Sequence, residues 1–119
     1  MSTITVREVL TLPVLRGTFV VAGQRGLSRA VTGVNVMEVP DIESFVKGGE
    51  LLLTTAYPLR EHPEDLGALV RTLARLGLAG LAVKTGRYLE KLPDEALAIA
   101  NELDFPVMLV AEHTSFNEV

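Results

Sequence analysis

The run LLLTT (Leu51–Thr55) decides how this chain reads. It is apolar and then β-branched, with no polar residue alternating through it. That is the pattern of a short strand buried on both faces, as in a parallel sheet covered by helices. The residues on its N-terminal side supply the punctuation. VNVMEV (Val34–Val39) alternates apolar and polar residues, which predicts a preceding strand, and Pro40 ends it. Asp41 is placed to cap a short helix whose Ile42, Phe45 and Val46 fall on one face. Gly48 or Gly49 then closes that helix in the left-handed conformation.

On the C-terminal side the pattern repeats twice more. PLREHP is a loop, and Glu64–Leu76 is a helix with Leu66, Leu69, Val70 and Leu73 as its apolar stripe, ended by Gly77. GLAVKT (Gly80–Thr85) is a strand and GRYLEKLP a loop. Pro93 opens a helix with Asp94 and Glu95 in its first turn and an Ala96, Ile99, Ala100, Leu103 stripe. FPVMLV (Phe105–Val110) is a last buried strand. Upstream, Thr5 and Glu8 have capping-box spacing before Val6, Val9 and Leu10, and Pro13 stops that helix. TFVVAG (Thr18–Gly23) predicts a further strand. QRGLSRAVTG predicts a loop in which Gly26 and Gly33 are free to take positive φ. The sum is an α/β fold: a mostly parallel central sheet of about five strands flanked by helices, in a two- or three-layer open sandwich.

Composition narrows the function classes. With 48% hydrophobic and 22% charged residues over 119 positions, the chain reads as one folded domain. It has no Cys, hence no disulfide and no thiolate metal ligand. The net charge is −4 and no basic cluster appears, which argues against a nucleic-acid-binding module. No apolar run approaches the ~18 residues of a membrane span. MSTITVREVL lacks the regions of a signal peptide, so a cytoplasmic location is expected.

In an open parallel sheet, ligands bind beyond the carboxyl ends of the strands. Those ends carry Glu38 and Asp41, Thr54 and Thr55, and the loop KTGRYLE with Lys84, Thr85, Arg87 and Tyr88. Asp41 reads first as a helix cap, a role compatible with ligand contact, and the threonines serve equally as β-branched strand formers. Lys84 to Tyr88 is the most site-like loop, suited to clamping an anion or a flat polar ring. Gly48-Gly49 reads as a turn and not as a phosphate cradle, because no Lys-Ser/Thr follows it and it precedes a strand. His62 and His113 lie in separate loops, and none of the usual nucleophile, dinucleotide or metal motifs is present. The residues therefore suggest binding, with no metal and no cofactor, and leave a small enzyme built on Glu38 and Asp41 as the least favoured option.

The order TVREVLTLPVLRGTFVVAG, then GLSRAVTGVNVMEVPDIESFVKGGELLLTTAY, then LGLAGLAVKTGRYLEKLPDEALAIANELDFPVMLV resembles the N-terminal domain of purine catabolism regulator-like (PucR-type) bacterial transcription factors. The resemblance covers nearly the whole chain, Ile4 to Asn117. It implies a regulatory input module that binds a small-molecule effector, purine-related by the family's name, and that forms a homo-oligomer, most simply a dimer. In that family a helix-turn-helix follows further along. None lies within these 119 residues, which would make the chain an excised domain or a stand-alone member, so DNA contact is not carried over. By position the family pattern emphasises Arg29, Glu38, Pro40, Asp41, Gly48, Gly49, Glu50, Leu53, Thr54, Thr55, Gly86 and Arg87. Pro40 and the glycines Gly48, Gly49 and Gly86 read as structural, and Arg29 as a partner for Glu38 or Asp41. The alternative to a sensor is an interaction module, suggested by Leu59, Leu78 and Leu89 as exposed apolar residues.

Overall fold

The computed structural model of the chain describes residues 4–15, 17–38, 42–85 and 91–110. Its elements run β1 (Ile4–Thr5), α1 (Val6–Val9), β2 (Phe19–Ala22), β3 (Ala30–Val31), β4 (Gly33–Val36) and β5 (Glu50–Thr54), then α2 (Leu66–Arg75), β6 (Gly80–Lys84), α3 (Asp94–Glu102) and β7 (Val107–Val110), with short 3-10 turns between them. The main sheet has five strands in the order β2-β7-β6-β5-β4. From β4 to β7 all neighbours are parallel, and β2 joins the β7 edge antiparallel. β1 and β3 form a separate two-stranded pair. The expected mostly parallel sheet is what the chain builds.

Alternation along the central strands splits the core into two layers. Leu52 of β5, Leu81 and Val83 of β6 and Val107 of β7 face α2 and α3, against Leu66, Val70, Leu73, Ala96, Ile99 and Ala100. Leu51 and Leu53, Ala82, Met108 and Val110 face the other way, onto Val6 and Val9 of α1 with Leu15 and Val31. LLLTT is thus buried from both sides, Leu52 and Leu53 completely. Leu78, expected on the surface, is fully buried in the α2/α3 layer, and Leu59 packs partly against it. Leu89 lies outside the described residues.

Both long helices end alike, because the last carbonyls need donors that the helix itself does not supply. At the end of α2, Gly77 takes φ +81° while Gly77 N–H and Leu78 N–H donate to the carbonyls of Ala74 and Leu73. This is the Schellman arrangement. At the end of α3 the same two bonds run from Asp104 to Asn101 and from Phe105 to Ala100, with Asp104 left-handed at φ +51°. The capping box at Thr5 and Glu8 forms as expected and starts α1.

Three local expectations are corrected. In place of a capped short helix with one apolar face there is a single 3-10 turn, Ile42–Ser44. Only Ile42 is buried, and Phe45 is 54% exposed. Gly49 does take a left-handed φ of +85°, but it forms the turn into β5 and packs on Thr32. Of the glycines in QRGLSRAVTG, neither Gly26 nor Gly33 has positive φ. Gly23 has, at +72°, and Gly26 is required for a different reason: its Cα lies so near Asp104 that an added Cβ would meet that carbonyl at 2.0 Å.

Candidate functional site

The carboxyl ends of β4, β5 and β6 lie side by side, since Val36 pairs with Leu53 and Thr54 with Val83. Glu38, two residues beyond β4, therefore reaches the end of β5. Its Oε1 accepts a hydrogen bond from Thr54 Oγ1 (2.5 Å), and both of its oxygens accept from Thr55 N–H (3.1 and 3.0 Å). Thr55 Oγ1 also donates to Oε2. Thr54 Oγ1 in turn accepts from Ala56 N–H at 3.0 Å, where Ala56 turns the chain with φ +67°. Glu38, Thr54 and Thr55 are thus brought together as the reading of strand ends anticipates, and they bond chiefly to one another. A ligand entering here competes with three donors already held by one carboxylate.

Lys84 ends β6 and Thr85 follows it, one step past the Thr54–Val83 pair. Asp41, Arg87 and Tyr88 of the predicted site, with Pro40 and Gly86, lie outside the described residues. Glu50 acts on its own turn: its Oε1 accepts from Lys47 N–H at 2.6 Å and from Asn35 Nδ2 at 3.3 Å, fastening the start of β5 to β4. Next to the Glu38 cluster, the 3-10 turn Tyr57–Leu59 brings the Arg60 guanidinium to 3.8 Å from the centre of the Tyr57 ring.

Arg29 does not pair with Glu38. It crosses to the C-terminal end of α3, where its Nε donates to Asp104 O (3.1 Å) and its Nη2 to Leu103 O (3.3 Å), with the guanidinium 5.8 Å from the Phe105 ring centre. A cation at a helix C-terminus meets the negative end of the helix dipole and supplies donors for stranded carbonyls. Arg29→Met keeps the aliphatic stem and loses both bonds. It is expected to cost about 2 kcal/mol, read as a lower urea midpoint with an unchanged slope.

His62 and Glu64 form an exposed pair at 3.1 Å. The Glu64 hydrogen bond, followed by its charge, holds the imidazole pKa above the ordinary 6.5. The raised value means that this pair favours the fold below pH 6.5 and that the benefit fades as pH rises through the new pKa. Glu64→Gln is expected to lower the His62 pKa toward its ordinary value, followed by NMR of its ring protons.

Among the described residues, two of the hollows lie against the sheet. One, of about 190 Å³, lies beneath the first turn of α3. It runs from Thr85 across Leu109 of β7 to Val21 of β2 and is completed by Lys91, Leu92, Asp94 and Leu97. The other, of about 280 Å³, lies at the amino ends of the parallel strands, between Gly23–Arg25 and the Asn101 and Asp104 side of α3. Among the described residues no group of His, Cys, Asp or Glu is arranged to hold a metal, and no helix is long and apolar enough to cross a membrane. The cavity under α3 is the feature that sequence reading missed. Val21 and Leu109 stand near opposite ends of the chain and meet only because β2 docks antiparallel on β7.

Comparison with known proteins agrees with the resemblance. The chain is 40% identical over 112 residues to a purine catabolism regulatory protein of Bacillus subtilis (strain 168), covering 94% of this chain and 21% of that protein. It is 29% identical over 113 residues to the transcriptional activator PmfR of Paenarthrobacter nicotinovorans, covering 95% of this chain and 24% of that protein. The chain thus spans between a fifth and a quarter of the length of these relatives. Residues 8–119 match the purine catabolism regulatory protein-like family, and the chain belongs to that family.

Proposed function

We propose that this chain is the regulatory input domain of a transcriptional regulator and that it binds a small metabolite where its parallel strands end. The observation that carries the reading is the cavity of about 190 Å³ that reaches Thr85 at the end of β6. It is mainly aliphatic with a few polar groups at its rim, as metabolite pockets are. Both relatives are regulators by name, one of purine catabolism and one a transcriptional activator, which supports a regulatory role for the shared domain. The net charge of −4 supports leaving DNA contact to other parts of such a regulator. A metabolite signals only by binding two conformations unequally, so occupancy must alter what the domain presents to its output partner. A thermal-shift panel of purines, ureides and amino acids on the 119-residue chain tests the reading. Stabilisation by one class is expected, and a flat panel at millimolar concentration counts against a sensor.

A second reading, self-association, is favoured by the β4 edge of the sheet. Val34 and Val36 are 41% and 44% exposed there, both on the α1 side of the sheet by their pairing with Leu51 and Leu53. Among the described residues β4 has no outer neighbour, and apolar side chains on such an edge invite a second strand. Sedimentation at rising concentration tests it, and a strict monomer up to ~100 µM removes it.

A further inference from the structure

The cavity under α3 has two unlike halves. Its wall is aliphatic: Val21, Leu92, Leu97 and Leu109. Val21, Leu97 and Leu109 pack on the core yet remain only partly buried, and the cavity is what they face. Val21 is there because β2 is bulged. Val20 pairs with Met108 and Ala22 with Val107, so Val21 is the extra residue and joins Ala22 on the α3 side. Bulges re-aim side chains in this way and are common beside binding sites. The rim is polar. Lys91 and Asp94 stand three positions apart with opposite charges, Thr85 adds a hydroxyl, and neither charge has an ion-pair partner among the described residues.

We propose that this cavity binds a free α-amino acid with a branched aliphatic side chain, of leucine or isoleucine size. An aliphatic cavity of roughly 150 Å³ accommodates a benzene ring, so a four-carbon side chain fits in 190 Å³. The α-carboxylate lies toward Lys91 and Thr85, and the α-ammonium toward Asp94. Among the described residues the lining holds no aromatic ring and no side-chain amide, the groups that stack on and read a purine or a ureide, and this favours an aliphatic body with a zwitterionic head. This rests on the sensor reading above and narrows it to one ligand class.

The test is calorimetric titration of the 119-residue chain with L-leucine, 4-methylpentanoate, 3-methylbutylamine, glycine and xanthine. L-Leucine is expected to bind. Loss of either charged group from the ligand is expected to weaken binding about tenfold, and glycine to fail. Asp94→Asn is expected to weaken L-leucine about tenfold and leave 4-methylpentanoate unchanged, with Lys91→Gln doing the reverse for the amine. Both positions are exposed, so these variants fold. Val21→Phe fills the cavity and is expected to abolish binding. L-Leucine that does not bind, or that binds both rim variants as tightly as the parent, overturns the proposal. If xanthine binds instead, the amino-acid assignment fails and the sensor reading stands; if no compound of the wider panel binds, both fail.

Discussion

Replacing Gly23 by alanine is expected to leave no folded protein. Gly23 has φ +72°, a conformation that costs an L-residue on its own. The larger problem is space. A Cβ there would lie 2.0 Å from the Phe105 carbonyl oxygen, 2.3 Å from its carbon and 2.8 Å from Pro106 N. All three are backbone atoms, so no rotamer change clears them. The segment they belong to cannot retreat, because Phe105 is fully buried, Leu81 N–H bonds the Pro106 carbonyl at 2.9 Å, and β7 begins at Val107. Gly23 N–H is itself fixed by Asn101 Oδ1 at 2.8 Å. Relieving the overlap means undocking β2 from the sheet, and losing that strand's packing removes a large part of the ~5–15 kcal/mol that hold a domain together. Gly26→Ala meets Asp104 O at 2.0 Å and is expected to behave alike. Circular dichroism and a melting curve decide the matter: a cooperative melt within a few degrees of the parent refutes this account of the contact.

Glu38→Ala is the second large effect, and it bears on function. Truncation strands Thr54 Oγ1, Thr55 Oγ1 and Thr55 N–H together, with Thr54 only 1% exposed. A lost hydrogen bond to a charged acceptor costs about 1.5–3 kcal/mol, and buried donors left without partners add to it. We expect a loss of about 3 kcal/mol and a melting point lower by about 10 °C. Thr54→Val removes donor and hydroxyl together, so the double variant is expected to be less unstable than the two single losses added. If Glu38→Ala melts with the parent, the carboxylate is not holding the end of β5 and is available for a ligand.

Much of the fold was legible because its local signals agreed. LLLTT, GLAVKT and FPVMLV are apolar runs bounded by Gly or Pro, and of the intervening helices Gly77 marks the end of one and Pro93–Glu95 the start of the other. What misled was a signal with a non-local answer. Ile42, Phe45 and Val46 have helical spacing, yet the segment is too short to nucleate a helix and settles as one 3-10 turn. Arg29 reads as a partner for the nearest acid, but the free carbonyls at the end of α3 are 74 and 75 residues away in the chain. Asp104 at a left-handed position was hidden because Gly is the usual mark of that site. Of the candidate site, the meeting of Glu38 with Thr54 and Thr55 could be anticipated from parallel register alone. The cavity could not, because it depends on one extra residue in β2 and on which partner that strand chooses.

That choice of partner also bears on how the protein is made. β2 is among the first strands to be synthesised, and its one sheet neighbour among the described residues, β7, is the last of the described strands. While the chain is growing, β2 has nothing to pair with, and the Gly23–Arg29 segment has no α3 terminus to close upon. Contacts this distant in sequence slow folding and prolong the exposure of apolar surface. A nascent chain stalled before Val107 is therefore expected to remain protease-sensitive throughout, and one that has cleared Val110 to become resistant in a single step. That result would mean that this domain assembles late and all at once, without a stable N-terminal half.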